Sequence, residues 1–480
     1  MRSSHFLLPA ACCLLAGSCA HLSENASSSR EQRPQATDML TGAGNLGMGL
    51  FRGTAVSAIR QPVTTAALGL SVLWHRPREI VSANVNVPLK LALTPPPEEV
   101  PGTQAFERLL DRSNIPAAKT GTLKWLVDGK RFFPDLDREL AAAKRSVDLQ
   151  VYIFDNDDIA VRYADKLKER SKDINVRVMF DDMGSSFAQT SPPETPAPKG
   201  FVPPTNMPLY LRSGSELEVR RTLNPWLVAD HSKLILVDNR IAYIGGMNIG
   251  REYFNEWHDL MIRIEGPIVA DFQRDYNRTW RKAGPYGDFG LLRPPRFTRR
   301  VPPVGDGAPV RVLRTDPAEG RYEILKATLM GIRAARKRIW IQNPYVAHDD
   351  ITMAIEEAAR RGVDVRMILP ARGDSTIMDV ANIAVARRLI QAGGKVYNYP
   401  LMTHMKVMIC DDWACVGSAN LDTLSMRINR ELNIAFRDPG QVKELVDKVF
   451  LPDFRISPRR RLSQTESPIA PIAEAIADQL

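Results

Sequence analysis

One pattern of His, Lys and Asp is written twice in this chain, each time in a short apolar run, and it restricts the fold more than any other stretch. The first copy, HSKLILVD, holds His231, Lys233 and Asp238 and is followed by GGMN, with Gly245 and Asn248. The second, HMKVMICD, holds His404, Lys406 and Asp411 and is followed by GSAN, with Gly417 and Asn420. Short runs of Val, Ile, Leu and Met between turn residues predict buried strands. Side chains alternate across a strand, so each His shares a face with its Lys, while each Asp, at an odd offset, faces away. Asp238, Asp411, Gly245 and Gly417 are therefore read as structural, and the His–Lys pairs as chemical. Given a His, a Lys and an Asp at fixed offsets arise by chance roughly once in several hundred, each being about one residue in twenty. Two such runs, each backed by a glycine turn and an Asn, are not coincidence.

A longer repeat surrounds the motifs and sets the architecture. ELAAAKRSVDLQVYIF (139–154) is similar to LMGIRAARKRIWIQNPYV (329–346), with Gln150 or Gln342 inside the strand, and INVRVMFDDMGS (174–185) matches VDVRMILPARGDS (363–375). Each unit is a helix running into an apolar strand. Helices between strands imply parallel neighbours with helices covering the sheet. The expectation is an α/β protein with domains at 104–290 and 306–455, a linker at 291–305 and a tail at 456–480. A length of 480 residues accommodates both domains plus extensions, and 44% hydrophobic with 25% charged residues excludes a mainly disordered chain.

The extensions carry less. MRSSHFLLPAACCLLAGSCAHL has one Arg, an apolar run from Phe6 to Ala16 and small residues before Cys19. It reads as a signal peptide over 1–18 rather than a membrane span, because the run is too short. LLAGSCA is also similar to a bacterial lipoprotein cleavage site, with Cys19 lipidated, although Ala16 stands where Leu is commonest. The expected location is the periplasmic face of the outer membrane, with a periplasmic or inner-membrane-anchored protein as alternatives. Residues 19–103 form a tether and N-terminal extension, whose apolar run from Gln61 to Trp74 is a packed preface or a helix lying on a membrane. The Pro-rich insertion at 187–208 is a solvated loop or a rim of the site, and the basic stretch 281–303 is a linker or a rest for anionic headgroups.

On the two motifs and the repeat, over residues 104–455, the chain resembles the two-motif phospholipase D superfamily (the HKD enzymes), most of all its bacterial cardiolipin synthase branch. The resemblance implies two pseudo-symmetric phospholipase D-like α/β domains, with mixed, largely parallel sheets flanked by helices, and an active site where they meet. It implies that one neutral His, taken as His231, attacks phosphorus to give a phosphohistidine. The other, protonated, donates to the departing alcohol. Lys233 and Lys406 bring positive charge to the phosphate, with Asn248, Ser418 and Asn420 as neutral donors, so no metal and no cofactor is demanded. An orienting carboxylate follows each family His by some thirty residues; here Asp259 lies 28 after His231 and Glu431 lies 27 after His404. The missing residue is accounted for between Asp411 and Gly417, which are separated by five residues against six between Asp238 and Gly245. The chain departs from the family in having Gly246 where a Ser is usual.

Phosphatidyl transfer is the expected activity, with a phospholipid substrate, an anionic membrane surface as partner and a monomer sufficient for catalysis. Hydrolysis to phosphatidic acid is the alternative. A nuclease would suit the net charge of +9, but export argues against nucleic acid as a partner. Cys410 faces Cys415 if Asp412–Trp413 is the hairpin turn, so a bridge is geometrically possible beside the reading as two buried thiols. Asp181–Asp182 is read as an acidic strand end rather than a metal site, and His75, His258 and His348 as structural.

Overall fold

The computed structural model describes residues 53–71, 98–189, 195–225, 228–292 and 307–466. The signal peptide, Cys19, the tether at 20–45, His75 and the end of the tail lie outside the described residues, as does most of the linker at 291–305.

The first half supplies β1 (Lys119–Val127), β2 (Ser146–Val151), β3 (Asn175–Asp181), β4 (Glu218–Thr222), β5 (Leu234–Val237), β6 (Ile241–Gly245) and β7 (Leu260–Glu265). The second supplies β8 (Ala308–Asp316), the short β9 (Arg321–Tyr322), β10 (Arg338–Gln342), β11 (Asp364–Pro370), β12 (Lys395–Tyr399), β13 (Val407–Cys410), β14 (Trp413–Gly417) and β15 (Glu431–Phe436). The order β4-β3-β2-β5-β6-β7-β1 recurs, strand for strand, as β12-β11-β10-β13-β14-β15-β8. β1 and β8 pair at Lys119↔Val310, Thr120↔Pro309 and Gly121↔Ala308, joining the halves into one mixed 15-stranded sheet.

Among the strands of the described residues, parallel pairs are confined to β2–β3–β4 and β10–β11–β12, so the sheet is less parallel than helix–strand alternation predicts. Helices link the neighbouring strands of those two sets. The motif strands are instead joined by hairpins, which require antiparallel neighbours. Between β5 and β6 the loop is Asp238–Arg240, with Asp238 and Asn239 at φ 54° and 53°; between β13 and β14 it is Asp411–Asp412, with Asp411 at φ 51°. Asp and Asn tolerate this left-handed region better than other side chains, which explains their place there. The second turn is thus one residue earlier than the sequence reading put it. Cys410 pairs with Trp413, Cys415 sits opposite Met408, and both cysteines are free and buried.

The core runs through both halves: Trp125, Ile262 and Ile264 share a cluster with Ile409, Ile434 and Phe436. One expected boundary is corrected. Helix Gln104–Arg112 packs on the second half, not the first, because Phe106 and Leu110 join the cluster of Ile324, Ile339 and Trp413. Phe106 meets Trp413 edge-on at 5.8 Å, and Arg311 of β8 holds Glu107 and Asp111 at 2.7 Å each. The helix therefore straps the second half before the chain builds the first.

Residues 53–60 and 62–71 are helical and pack on the protein. No helix among the described residues is long and apolar enough to cross a membrane. In the described part of the insertion, Thr195 N donates to Glu256 Oε1 at 3.0 Å, and Asn156 Nδ2 to Pro204 O at 3.1 Å. The basic tail is drawn onto the edge of β12, where Asn398 N donates to Pro458 O at 3.0 Å and Arg460 N to Val396 O at 2.8 Å.

Candidate active site

Each Asp of the motifs fastens its hairpin to the start of the neighbouring strand, β2 or β10. Asp238 accepts the N–H groups of Lys144, Arg145 and Ser146 at 2.9, 2.7 and 3.0 Å; Asp411 accepts those of Arg336, Lys337 and Arg338 at 2.9, 2.7 and 3.0 Å. Gly245 and Gly417 allow the next strand to close in. A Cβ at Gly245 would lie 2.1 Å from Leu260 O, and one at Gly417 2.4 Å from Leu432 O. Past each glycine the chain makes a single π-helical turn, Glu252–Glu256 or Leu424–Ile428, and returns as β7 or β15, the strands at whose heads Asp259 and Glu431 lie.

His231 and Lys233 precede β5, and His404 and Lys406 precede β13, rather than lying on those strands. They are fixed by backbone bonds to the opposite half. His231 N donates to Arg430 O at 2.9 Å, and His404 N to His258 O at 2.7 Å. Arg430 and His258 each immediately precede a carboxylate, so the carboxylates cross over. His231 Nδ1 bonds Glu431 Oε1 at 2.8 Å, and His404 Nδ1 bonds Asp259 Oδ2 at 2.7 Å. The sequence spacing assigned each carboxylate to the His upstream of it in its own half. The geometry corrects this: each serves the other half's His.

The two carboxylates are held differently. Glu431 accepts Ser418 Oγ at 2.5 Å and Ser425 Oγ at 2.7 Å; Asp259 accepts the N–H of Leu260 at 2.7 Å. Ser418 is fully buried and its hydroxyl is committed to Glu431, so it orients a carboxylate instead of contacting phosphate, as the resemblance implied. The departure at Gly246 has the same origin. A Cβ there would lie 2.2 Å from Asp259 Oδ1, so the shorter Asp occupies the room that a Ser would fill. Asn248 accepts Ile153 N at 3.0 Å, and Asn248 and Asn420 are both buried.

Lys233 Nζ donates to His231 O at 2.8 Å and Lys406 Nζ to His404 O at 2.6 Å. Burial brings Lys233 down to about 7 and Lys406 down to about 8. Burial also takes His231 down to about 4, against the opposing pull of Glu431, and carries His404 well below its ordinary value. Asp259 is pushed up to about 7 by burial. Lys406 acts on His231, and Lys233 and His231 on His404, so the four groups lie within electrostatic reach of one another. With Nδ1 of each ring held by a carboxylate, Nε2 is the nitrogen left for chemistry.

Several supporting residues had no role assigned from sequence. Gln150 Nε2 holds Asp230, beside His231, at 3.0 Å, and Gln342 Nε2 holds Thr403 Oγ1, beside His404, at 2.8 Å. The only signal was their recurrence in the repeat. Tyr152 meets the His231 ring edge-on at 4.8 Å, and Trp257 lies against His404 at 5.2 Å. His258 is structural but far from isolated: Nδ1 bonds Asp128 at 2.6 Å and Nε2 bonds Asp453 at 2.8 Å. His348 is buried and accepts from Arg427 Nε at 3.2 Å. Asp181 caps the helix after β3 and accepts Asp230 N at 2.9 Å, while Asp182 pairs with Arg221. Among the described residues no cluster of three His, Cys, Asp or Glu is disposed to hold a metal ion.

Comparison with known proteins bears on the family and the fold. The profile of the family described as "Cardiolipin synthase, PLD-like domain" matches residues 136–280 and 329–452. Cardiolipin synthase A of Pseudomonas aeruginosa is 29% identical over 384 residues, covering 76% of this chain and 74% of that protein. Cardiolipin synthase of Halalkalibacterium halodurans is 30% identical over 359 residues, covering 72% and 68%. The crystal structure of phosphatidylserine synthase from Haemophilus influenzae superposes with a TM-score of 0.59 at 13% identity, covering 78% of this chain and 96% of that one. That last likeness concerns the fold.

Proposed function

This chain belongs to the cardiolipin synthase, PLD-like domain family, and from that premise we propose that it moves a phosphatidyl group from a phospholipid to a lipid alcohol through a phosphohistidine. The observation that carries this is the pair of crossed dyads, His231–Glu431 and His404–Asp259, with Lys233 and Lys406 beside them. His231 Nε2 attacks the phosphorus of the donor phospholipid. The bond from phosphorus to the departing alcohol breaks, and His404 gives that oxygen its proton. His404 then takes the proton of the acceptor lipid's hydroxyl as that oxygen attacks the phosphohistidine, and His231 is released.

The two carboxylates support this division of roles. Glu431 is steadied by two hydroxyl donors and fixes the tautomer that leaves His231 Nε2 free to attack. Asp259 has one backbone donor, and burial holds its proton up to about pH 7, so the Asp259–His404 pair keeps a shared proton for the leaving group. Both lysines are buried weak bases whose charge an incoming phosphodiester restores.

Export with lipidation at Cys19, at the periplasmic face of a membrane, is part of the same proposal; it rests on the leader sequence. The test is purified protein with phosphatidylglycerol vesicles and product identification by mass spectrometry. Cardiolipin with free glycerol is the expected result. Phosphatidic acid alone would make the enzyme a hydrolase, and cleavage only of added DNA would make it a nuclease.

A further inference from the structure

The helical segment at 53–71 is turned inside out. Its face toward the protein is mostly polar and hydrogen-bonded: Ser57 Oγ donates to Leu223 O at 2.7 Å, Gln61 Nε2 to Lys282 O at 3.1 Å, and Thr64 bonds Asp288 through N at 2.9 Å and Oγ1 at 2.5 Å. Leu68 completes that face, in a cluster with Val228 and Ile428. The opposite face, at the same helical spacing, is apolar and open: Ile59 is 80% exposed, Val63 68% and Leu70 69%, with Ala66 exposed between them. A surface helix ordinarily shows the reverse arrangement, and a contiguous exposed apolar stripe marks an interaction site.

The stripe does not stand alone. The 3-10 turn Gly287–Leu292 lies against the same helix so closely that a Cβ at Gly287 would collide with Arg60 O. That neighbouring segment exposes Tyr286, Phe289 and Leu292. Between the same helix, β4 and Pro285 opens a cleft of about 330 Å³ lined by Arg60, Arg212, Arg220 and Arg221, with no acidic residue in its lining. Arg220 stacks on Trp280 at 4.1 Å, which fixes its guanidinium at the wall. Aliphatic and aromatic side chains beside a cationic groove complement one partner in both respects, the headgroup layer of an anionic phospholipid bilayer.

We propose that Ile59, Val63, Ala66 and Leu70, with Tyr286, Phe289 and Leu292, form a docking face that seats the enzyme on an anionic bilayer, the arginine cleft taking lipid phosphates. The inference rests on the reading that the substrate is a phospholipid. The helix that carries this face also lies next to the site, since Val228 and Ile428, which Leu68 on its inner side contacts, precede His231 and Glu431 by three residues each.

The test uses the full chain with Cys19→Ser, which removes any acyl anchor, and His404→Ala, so that binding is read without turnover. Co-sedimentation is measured with phosphatidylcholine vesicles with and without phosphatidylglycerol. The expected result is binding that needs phosphatidylglycerol, falls at least about 10-fold in Ile59→Ser/Val63→Ser/Leu70→Ser, and loses its lipid preference in Arg60→Ala/Arg212→Ala. With His404 restored, the triple variant turns over short-chain, monomeric phosphatidylglycerol within about 2-fold of the unsubstituted chain, which also shows that it is folded. Unchanged vesicle binding by the triple variant overturns the proposal. So does a dimer in light scattering that the triple variant dissociates while vesicle binding persists, because the face would then belong to a second copy. Failure of transferase activity alone leaves this readout intact and counts only against the proposed reaction.

Discussion

His231 Nδ1 lies 2.8 Å from Glu431 Oε1, 200 residues further along the chain and in the other half of the fold. His404 and Asp259 repeat the relation in the opposite sense at 2.7 Å. Neither half therefore contains a finished dyad. Each supplies an imidazole that the other half orients, and the backbone bridges at Arg430 and His258 keep the exchange in register. The proposed reaction therefore depends on the interface between the halves and not only on the motifs.

The crossing predicts which substitution each ring feels. Glu431→Gln removes the acceptor from His231, and Asp259→Asn removes it from His404. In ¹⁵N NMR of the imidazoles, His231 is expected to change tautomer or titration in Glu431→Gln and to stay nearly unchanged in Asp259→Asn, with the reverse for His404. Each variant should lose on the order of 10²- to 10⁴-fold in kcat/KM, as expected when an orienting carboxylate is made neutral. A His231 signal that follows Asp259 instead would refute the crossed arrangement.

A second prediction concerns the unequal supports. Adding a Cβ at Gly246 brings it within 2.2 Å of the Asp259 carboxylate, so Gly246→Ser alone displaces Asp259 from His404. A loss of at least about 10-fold in kcat/KM is expected, mostly through kcat. Combining it with Asp259→Glu copies the Ser418–Glu431 arrangement and should recover part of the loss. The two substitutions are thus expected to be non-additive; strict additivity would show that the residues do not share the space.

The pH dependence follows from burial. In the free enzyme Lys233 loses its proton near pH 7, Lys406 near pH 8 and Asp259, bonded to His404, near pH 7. Above that range both attraction for the phosphodiester and the acid for the leaving group disappear. On the acid side His231 becomes protonated near pH 4 and cannot attack. The profile of kcat/KM is expected to be flat between about pH 5 and 7 and to fall on both sides, with KM rising on the alkaline limb. Activity that climbs steadily from pH 7 to 9 would contradict it.

Much of this was legible in the chain because the decisive signals are local. Hairpin length and Asp placement follow from turn chemistry, and the one-residue difference between the motifs is the difference between Asp238–Arg240 and Asp411–Asp412. The crossing was not legible. Spacings of 28 and 27 residues put a carboxylate at the head of a strand, but one chain repeated twice offers two equivalent imidazoles, and only the packing of the halves chooses between them. The same ambiguity hid the helix Gln104–Arg112, whose apolar face fits the second half although its sequence neighbours build the first. Ser418 sat in the expected place for a phosphate donor, and only its burial against Glu431 reveals the different use.

His258 supplies the last prediction, about stability. It is clamped between Asp128 of the first half and Asp453 of the second and stacks on Tyr399 at 4.4 Å. Its backbone bonds Met402 O at 3.0 Å and receives His404 N at 2.7 Å, so the clamp also holds His404 in place. The two carboxylates outweigh burial and raise it to about 9. An unfolded His titrates near 6.5, so the folded form binds the extra proton across the interval between. The stabilisation is complete below pH ~6.5 and is lost as pH rises through about 9; a displacement of this size corresponds to roughly 3 kcal/mol. In urea unfolding at pH 6, His258→Gln should fall short of the unsubstituted protein by about that amount, and the gap should narrow steadily and be largely gone by pH ~10. A gap that stays constant with pH would mean that His258 acts through shape and stacking, with no proton held between the halves.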